Sequence, residues 1–329
     1  MLPRVLGMRP RYVEKLWGGS RLRELPAKLR PGHAPAESAR TGESWEVADL
    51  PEGCSLVDGG PLDGTPLRAL VAEHGRAVVG ARAQPGSDGV LRFPLLVKLI
   101  DAGDDLSVQV HPDADYARAH PGTFSKDEAW LVVARSPGAQ VLHGLRDGVT
   151  REKLRAAIAD GTADKQLRAV RVSVGDVLRI APGTMHAVGA GCLLLEVQEP
   201  SDTTFRVFDY NRVEANGKTR PLHVEQAMAV ARFGPQEPPL VADAQAGHRA
   251  INTPLYAMSL AHVSGEAPLQ KIEHEPAVVF VLEGTASIDD VIVPAGGTAL
   301  VTAAAERVPL RAPEGATVVV MTPGSSAAS

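Results

Sequence analysis

Polar and apolar residues alternate along residues 106–112 (LSVQVHP), which is the pattern of a strand with two different faces. Residues two apart in a strand point to the same side. Ser107, Gln109 and His111 therefore share one face, and the apolar side chains between them belong to a core. A hydroxyl, an amide and an imidazole in a row indicate a face that meets a metal ion or a polar ligand. Pro112 cannot donate to a strand ladder, so the strand ends there.

Two further segments carry groups of the same chemical kind. Lys126 and Glu128 are two apart at the start of an apolar run, so they also share a face. Residues 175–186 (GDVLRIAPGTMH) predict a turn, a strand, a Pro-Gly turn and then His186.

Three strand-like segments contain isolated charges. Lys98 interrupts the apolar run 93–100, Glu196 interrupts the run 192–198, and Arg206 shares a strand face with Asp202 and Thr204. A lone lysine on a strand is usually an edge residue whose ammonium reaches water. Several cations near a metal pocket are better explained by an anionic substrate, and the Ser107 hydroxyl could add a donor to a phosphate. A buried carboxylate such as Glu196 needs a partner.

The short turn between the Glu196 and Arg206 segments predicts antiparallel neighbouring strands. That pairing would bring Arg206 near Glu196, on a face that looks toward His186.

Length and composition limit the classes of protein. The 329 residues suffice for one large or two ordinary domains. With 34 basic and 39 acidic residues and no long basic run, neither nucleic acid nor a membrane surface is expected as the main partner. Cys54 and Cys192 are expected to be reduced thiols. There is no signal-peptide pattern and no apolar run of membrane-spanning length, so the sequence predicts a cytoplasmic protein.

The rest of the chain predicts mostly strands. The 32 glycines and 26 prolines imply many turns, which is typical of an all-β chain. Residues 150–170 are expected to be helical, with Thr150 as a possible N-cap and an apolar stripe that includes Leu154 and Ile158. The Pro-rich segment 233–240 is the best candidate for a linker.

Residues 175–186 resemble the second sequence signature of cupin barrels, with Gly183 three residues before His186. One residue usually separates the proline from the glycine in that signature, whereas the two are adjacent here. In cupins this histidine binds a metal together with a His-x-His pair and a glutamate from the first signature. Gln109-x-His111 stands in the place of the pair. The resulting set of nitrogen and oxygen ligands suits zinc or another first-row divalent ion.

The C-terminal third resembles a cupin that has lost its ligands. Residues 278–288 are similar to the end of the first signature and residues 293–300 to the second, with Ala299 where the histidine is expected. We therefore predict a mainly β chain of two cupin (jelly-roll β-barrel) domains with a small helical segment. Residues 1–235 would form a catalytic metal-binding domain with short helical insertions, and residues 236–329 a degenerate domain without a metal site.

Seven short motifs together resemble the type I phosphomannose isomerases in their short bacterial form. They follow one another over about the first two thirds of the chain: residues 17–19 (WGG), 42–46 (GESWE), 94–98 (PLLVK), 106–112 (LSVQVHP), 126–130 (KDEAW), 183–187 (GTMHA) and 196–209. The resemblance implies a zinc-dependent cupin enzyme that interconverts mannose 6-phosphate and fructose 6-phosphate, with one zinc ion per chain.

The resemblance also implies roles for single residues. The zinc ligands of the family fall on Gln109, His111, Glu128 and His186, and its active-site arginine falls on Arg206. Position 125, where the family usually has glycine, is a serine.

An aldose–ketose isomerase moves a proton between C2 and C1 through a cis-enediol, so it needs a base, an electrophile and a grip on the phosphate. Arg206 is expected to stabilise the developing oxyanion, while Ser107, Lys98 and Lys126 are expected to bind phosphate. The base is left open between Glu196, whose pKa burial would raise, and Lys126, whose pKa a nearby metal would lower. Glu196 is favoured.

Two other functions fit part of the sequence. A metal-dependent cupin oxygenase would use iron and an apolar pocket, and both the lysines and Gln109 argue against it. A non-enzymatic sugar-binding cupin would be expected to lose its metal ligands, as the C-terminal third has done. The partner expected is a small phosphorylated sugar, and the chain is expected to be a monomer or a weak homodimer.

Overall fold

The computed structural model describes residues 2–29, 34–36, 40–86, 89–214, 217–236, 240–243 and 249–324. Residues 237–239 of the predicted linker lie outside this part. Strands dominate the fold and pair in antiparallel fashion. The predicted mainly β class is therefore confirmed, while the division into two cupin domains at residue 235 stays a prediction.

Three larger sheets contain nearly all of the strands. The seven-stranded sheet consists, in spatial order, of β16 (Leu240–Asp243), β12 (Asp176–Ile180), β9 (Glu128–Arg135), β14 (Cys192–Gln198), β7 (Leu96–Asp101), β3 (Thr41–Val47) and β2 (Arg11–Gly19). The five-stranded sheet consists of β11 (Leu167–Arg171), β10 (Gln140–Leu145), β13 (His186–Val188), β8 (Val108–Val110) and β15 (Phe205–Phe208).

The third sheet has eight strands, most of them from the C-terminal part of the chain. Their order is β17 (Arg249–Asn252), β18 (Tyr256–Pro268), β22 (Pro309–Pro323), β19 (Ala277–Ile288), β21 (Thr298–Val301), β1 (Val5–Arg9) and β6 (Leu56–Asp58), and β20 (Val291–Pro294) pairs with β19. A small sheet joins β4 (Asp49–Leu50) to β5 (Gly53–Cys54). Ala299 is buried in an apolar cluster of the eight-stranded sheet.

The helices are short. They are α1 (Leu67–His74), α2 (Arg76–Val79), α3 (Ala114–Ala119), α4 (Arg151–Ala159) and α5 (Val224–Val230), with 3-10 turns at Arg21–Glu24, Pro26–Leu29, Gly60–Leu62 and Ala163–Gln166. Thr150 caps α4 as predicted, because its side chain accepts the Lys153 amide. The helix ends at Ala159, however, and residues 167–171 form β11 instead. Among the residues described, no helix is long and apolar enough to cross a membrane.

The seven-stranded sheet lies between the other two sheets. Along its buried strand β14, Leu195 packs in a core that also contains Phe280 of the eight-stranded sheet. Its neighbour Leu194 points the other way and packs with Val188 of the five-stranded sheet. Because successive side chains of a strand alternate, β14 contributes one set of residues to the core shared with the eight-stranded sheet and the other set to the side that faces the five-stranded sheet.

A buried cluster around the Glu46 carboxylate links the middle sheet to the eight-stranded one. The Lys28 ammonium lies 2.7 Å from both carboxylate oxygens of Glu46 on β3. The hydroxyls of Ser44 and Thr298 donate to the same carboxylate at 2.5 and 2.8 Å. Since Thr298 belongs to β21, this cluster joins two sheets through one charged group.

Candidate metal centre and active site

Three buried side chains from the two facing sheets converge on one point. His111 follows β8 and His186 begins β13, both in the five-stranded sheet, while Glu128 begins β9 of the seven-stranded sheet. Their potential ligand atoms all lie within 4.8 Å of one another, and each residue is at most 1% exposed. Alternation along β9 is the reason that Glu128 faces the two imidazoles.

The two histidines are held in the tautomer that a metal requires. The Nδ1 atoms of His111 and His186 lie 2.9 Å from the carbonyl oxygens of Thr203 and Thr184. A carbonyl oxygen only accepts, so each Nδ1 bears the hydrogen and each Nε2 keeps its lone pair. The Nε2 atoms lie 3.5 and 3.4 Å from the two oxygens of Glu128. Backbone support of this kind is the usual arrangement around a metal-bound imidazole.

The local charges favour the metal-binding protonation states. Burial lowers the pKa of His186 to about 3. Burial, assisted by the Lys126 charge, also lowers the pKa of His111. For Glu128, burial acts to raise the pKa, but the Lys126 ammonium, 2.7 Å from Oε2, and the two histidines together outweigh it and hold the pKa well below its usual range. The group thus offers two neutral imidazoles and one carboxylate at neutral pH.

Gln109 completes the predicted set of ligands. Its amide nitrogen lies 3.2 Å from Nε2 of His186, and its oxygen accepts a hydrogen bond of 3.3 Å from Ser107. Rotation of the amide exchanges its nitrogen and oxygen, so Gln109 can present an oxygen to the same point. The Nε2 atom of His111 and Oε1 of Glu128 are buried without a hydrogen-bond partner, as expected of groups that bind a cation. The donor set fits a first-row divalent ion.

A cavity of about 190 Å³ opens beside this group. It brings together every residue predicted for catalysis or substrate binding, together with two of the predicted ligands: Lys98, Ser107, Gln109, Lys126, Glu128, Glu196 and Arg206. His111 and His186 are buried behind the residues that line the cavity. A larger cavity of about 390 Å³ lies between β1 and β20 and is lined by none of these residues.

Glu196 lies in a setting that makes its carboxylate more basic. Burial, with the negative charge of Glu128, raises its pKa to about 8. Its Oε1 accepts a hydrogen bond of 3.0 Å from the Trp130 indole, and its Oε2 lies 3.8 Å from the Lys98 ammonium. A carboxyl group with a pKa near neutrality is suited to proton transfer.

Lys98 and Lys126, two of the lysines that line the cavity, are ammonium ions in this environment. Burial acts to lower the pKa of Lys98, but carboxylates, Glu43 first among them, raise it overall. In the same way burial acts to lower the pKa of Lys126, but carboxylates, Glu128 first among them, raise it overall. Lys98 also lies 3.3 Å from Asp202. Both side chains therefore act as hydrogen-bond donors and carry positive charge. Lys126 could serve as a base only if a further cation nearby lowered its pKa.

The predicted pairing of the Glu196 and Arg206 strands is wrong. β14, which carries Glu196, pairs with β7 and β9, whereas β15, which carries Arg206, pairs with β8 in the other sheet. The segment between them crosses from one sheet to the other. Within it, the carbonyl oxygens of Glu199 and Ser201 accept hydrogen bonds from the Gln198 side-chain amide. Arg206 therefore faces Glu196 across the cavity, and its guanidinium donates to Ser107 at 3.2 Å and to the Pro221 carbonyl at 3.2 Å.

The cavity also contains residues to which the sequence assigned no role. Glu43 accepts from the Trp45 indole at 2.7 Å and lies 3.1 Å from the Lys15 ammonium. The alternating pattern of residues 42–48 in the sequence could have predicted that the Glu43 side chain lies on a buried face of its strand. Arg220, bound to Asp209 at 2.6 and 2.7 Å, lies outside the strands and helices, where no periodic signal exists.

Comparison with known proteins points to one class. The family model for the catalytic domain of phosphomannose isomerase type I matches residues 5–134. The mannose-6-phosphate isomerase of Streptococcus mutans serotype c is 42% identical over 221 residues, which are 67% of this chain and 66% of that protein. Mannose-6-phosphate isomerase ManA of Bacillus subtilis (strain 168) is 39% identical over 226 residues, 68% of this chain and 67% of that protein. The aligned region spans about two thirds of these relatives.

Solved structures extend the likeness to the whole fold. The crystal structure of mannose 6-phosphate isomerase from Bacillus subtilis superposes with a TM-score of 0.78 at 28% identity, covering 97% of this chain and 99% of the other. The apo enzyme from Salmonella typhimurium shares the fold, with a TM-score of 0.74 at 16% identity over 98% of this chain and all of the other. Fold and relatives together define an aldose–ketose isomerase. More particularly, the chain belongs to the type I phosphomannose isomerase family.

Proposed function

We propose that this chain interconverts mannose 6-phosphate and fructose 6-phosphate in the cavity between the five-stranded and seven-stranded sheets. One divalent metal ion, zinc in the first place, would be held by Gln109, His111, Glu128 and His186. The observation that carries this proposal is the buried group of His111, Glu128 and His186, whose two free imidazole nitrogens face one carboxylate at the wall of a charged cavity.

The charges of the cavity support a phosphorylated substrate. Its lining contains five basic residues, Lys15, Lys98, Lys126, Arg206 and Arg220, and four acidic ones, Glu43, Glu128, Glu196 and Asp202. With a divalent cation added, the formal charge becomes clearly positive, which favours a phosphate monoester. An apolar substrate, as expected for a cupin oxygenase, would leave these charges without partners.

The residues of the chain divide the isomerisation between them. A bound metal ion would act as a Lewis acid that polarises a sugar oxygen. Glu196, with its raised pKa, would take the proton from C2 and return it to C1 through a cis-enediol; Lys126 remains the alternative base. Arg206, on the opposite wall, would stabilise the enediolate oxygen. Ser107, Lys98 and Lys126 would bind the phosphate.

A cytoplasmic location and a monomeric or weakly dimeric state are part of the same proposal. Cys54 and Cys192 are free thiols, as is usual in reducing compartments.

Metal analysis and an isomerase assay on one preparation test the proposal. We expect about one divalent ion per chain, turnover of mannose 6-phosphate, and loss of activity on chelation. His111→Ala and His186→Ala should not retain metal, whereas His262→Ala, on the eight-stranded sheet, should behave as the parent protein. Full activity after metal removal would end the metal assignment. A metal-loaded protein that does not isomerise mannose 6-phosphate would end the assignment of function.

A further inference from the structure

Asp127 stands between Lys126 and Glu128, yet its side chain points away from the cavity. It is 2% exposed, and alternation directs it toward the face of the middle sheet that packs on the eight-stranded sheet. There its Oδ1 accepts a hydrogen bond of 2.5 Å from the Tyr256 hydroxyl on β18. Tyr256 is itself fully buried. The carboxylate thus links the active-site strand to a strand of the C-terminal third.

Arg179 provides the second contact to this carboxylate. Its Nε and Nη2 donate to Oδ1 and Oδ2 of Asp127 at 3.2 and 2.7 Å. The register of β9 and β12 places Arg179 opposite Ala129, so Asp127 is its diagonal neighbour on the same face. A two-pronged arginine contact of this kind fixes direction as well as distance.

The backbone of Asp127 is fixed as firmly as its side chain. Its amide donates to Oε2 of Glu199 at 3.0 Å, and its carbonyl accepts from the Glu199 amide at 3.2 Å. The Ser125 hydroxyl donates to the other Glu199 oxygen at 2.9 Å. The backbone amide, the carbonyl and both carboxylate oxygens of Asp127 are therefore bound to a partner, which leaves residue 127 little freedom to rotate.

We propose that Asp127 is a positioning residue, held by Tyr256 and Arg179, that sets the directions in which Lys126 and Glu128 enter the cavity. The inference rests on the proposed function, because Glu128 is there a metal ligand. A rotation at residue 127 would move Glu128 relative to both imidazoles and would move the Lys126 ammonium relative to Glu128. The eight-stranded sheet, through Tyr256, would then support the metal site of the neighbouring sheets.

Tyr256→Phe tests this directly, since it removes one hydroxyl and keeps the ring. We expect zinc to transfer to a coloured chelator roughly 10-fold faster, and kcat for mannose 6-phosphate to fall by a similar factor, as for other losses of support behind a metal ligand. KM should change little, and the thermal midpoint should shift by only a few degrees. Tyr116→Phe on α3, which lies outside this network, should match the parent protein in all four measurements.

Arg179 gives an independent second test, because its side chain is half-buried and can be substituted with little loss of packing. Arg179→Met should speed zinc loss, and Arg179→Lys, which restores a charged donor, should recover part of the difference. The proposal is overturned if the parent protein holds zinc and isomerises mannose 6-phosphate while Tyr256→Phe and Arg179→Met change only the thermal midpoint. Absence of zinc binding by the parent protein would instead overturn the metal assignment, and this inference with it.

Discussion

The Nε atom of Arg206 donates a hydrogen bond of 3.2 Å to the hydroxyl oxygen of Ser107, although the two residues are 99 positions apart. Antiparallel pairing of β15 with β8 produces this contact, because it sets Arg206 opposite Gln109. The guanidinium and the hydroxyl therefore form one donor surface on the wall that faces Glu196.

Arg206→Ala should lower kcat for mannose 6-phosphate by about 10²-fold or more, as for the loss of a donor to a developing oxyanion. Zinc content and unfolding should be unchanged, because the Arg206 side chain bonds to Ser107 and the Pro221 carbonyl, and its backbone pairing with Gln109 survives the substitution. Arg206→Lys should recover little, since the planar fork of donors is lost. Steady-state kinetics would check this, with Arg155→Ala on the surface of α4 as the control. An increase in KM at constant kcat would make Arg206 a substrate clamp instead.

Lys126→Met should reduce kcat/KM for mannose 6-phosphate far more than for unphosphorylated mannose, because the lost ammonium is proposed to meet the phosphate. Parallel assays on the two sugars measure the difference. Metal content must be determined on the same sample, since Lys126 lies 2.7 Å from Glu128. Equal losses on both sugars at full metal occupancy would favour Lys126 as the base and argue against Glu196.

The metal-free protein should lose stability as the pH falls from about 6.5 toward 3. Burial lowers the pKa of His186 to about 3 and that of His111 in the same direction, while both titrate near 6.5 in the unfolded chain. Below that value the unfolded state binds protons that the folded state excludes, so unfolding becomes easier. Each histidine adds a slope of up to about 1.4 kcal/mol per pH unit.

Denaturant unfolding of chelated protein between about pH 7.5 and 5 measures this slope, in a range where most carboxylates stay ionised. His186→Asn should flatten the curve by about one proton. An identical pH dependence in the variant would show that His186 takes up its proton in the folded state as well.

Lys28→Met should destabilise the fold by roughly 3–5 kcal/mol, because it leaves the Glu46 carboxylate buried without its counter-charge. The double variant Lys28→Met/Glu46→Leu should regain much of that loss, since no buried charge then remains. Free energies of unfolding from denaturant titration would check both values. If the double variant were less stable than Lys28→Met, the hydrogen bonds from Ser44 and Thr298 would outweigh the ion pair.

Local patterns in the sequence were enough to predict part of the site. Alternation within one short segment predicts that Ser107, Gln109 and His111 share a face. In the structure Ser107 bonds to Gln109, and both Gln109 and His111 lie beside His186. The cap of α4 by Thr150 is equally local. Such signals need only the geometry of one strand or one helix turn.

Pairings between distant segments were not accessible in the same way. Which sheet β15 joins depends on which sheet has an unpaired edge strand. The length of the segment before β15 does not determine this. The contact between Tyr256 and Asp127 joins residues 129 positions apart. No periodicity of either segment indicates the other, because strand pairing is set by packing of whole sheets.

The pairing of β1 with β21 has a consequence for synthesis of the chain. Val5 pairs with Val301, so β1 must wait for a partner that is synthesised about 300 residues later. Until then, β1 has one unpaired edge of backbone donors and acceptors, open to any other extended segment. The eight-stranded sheet therefore cannot close around β1 until β21, its second neighbour, has been synthesised.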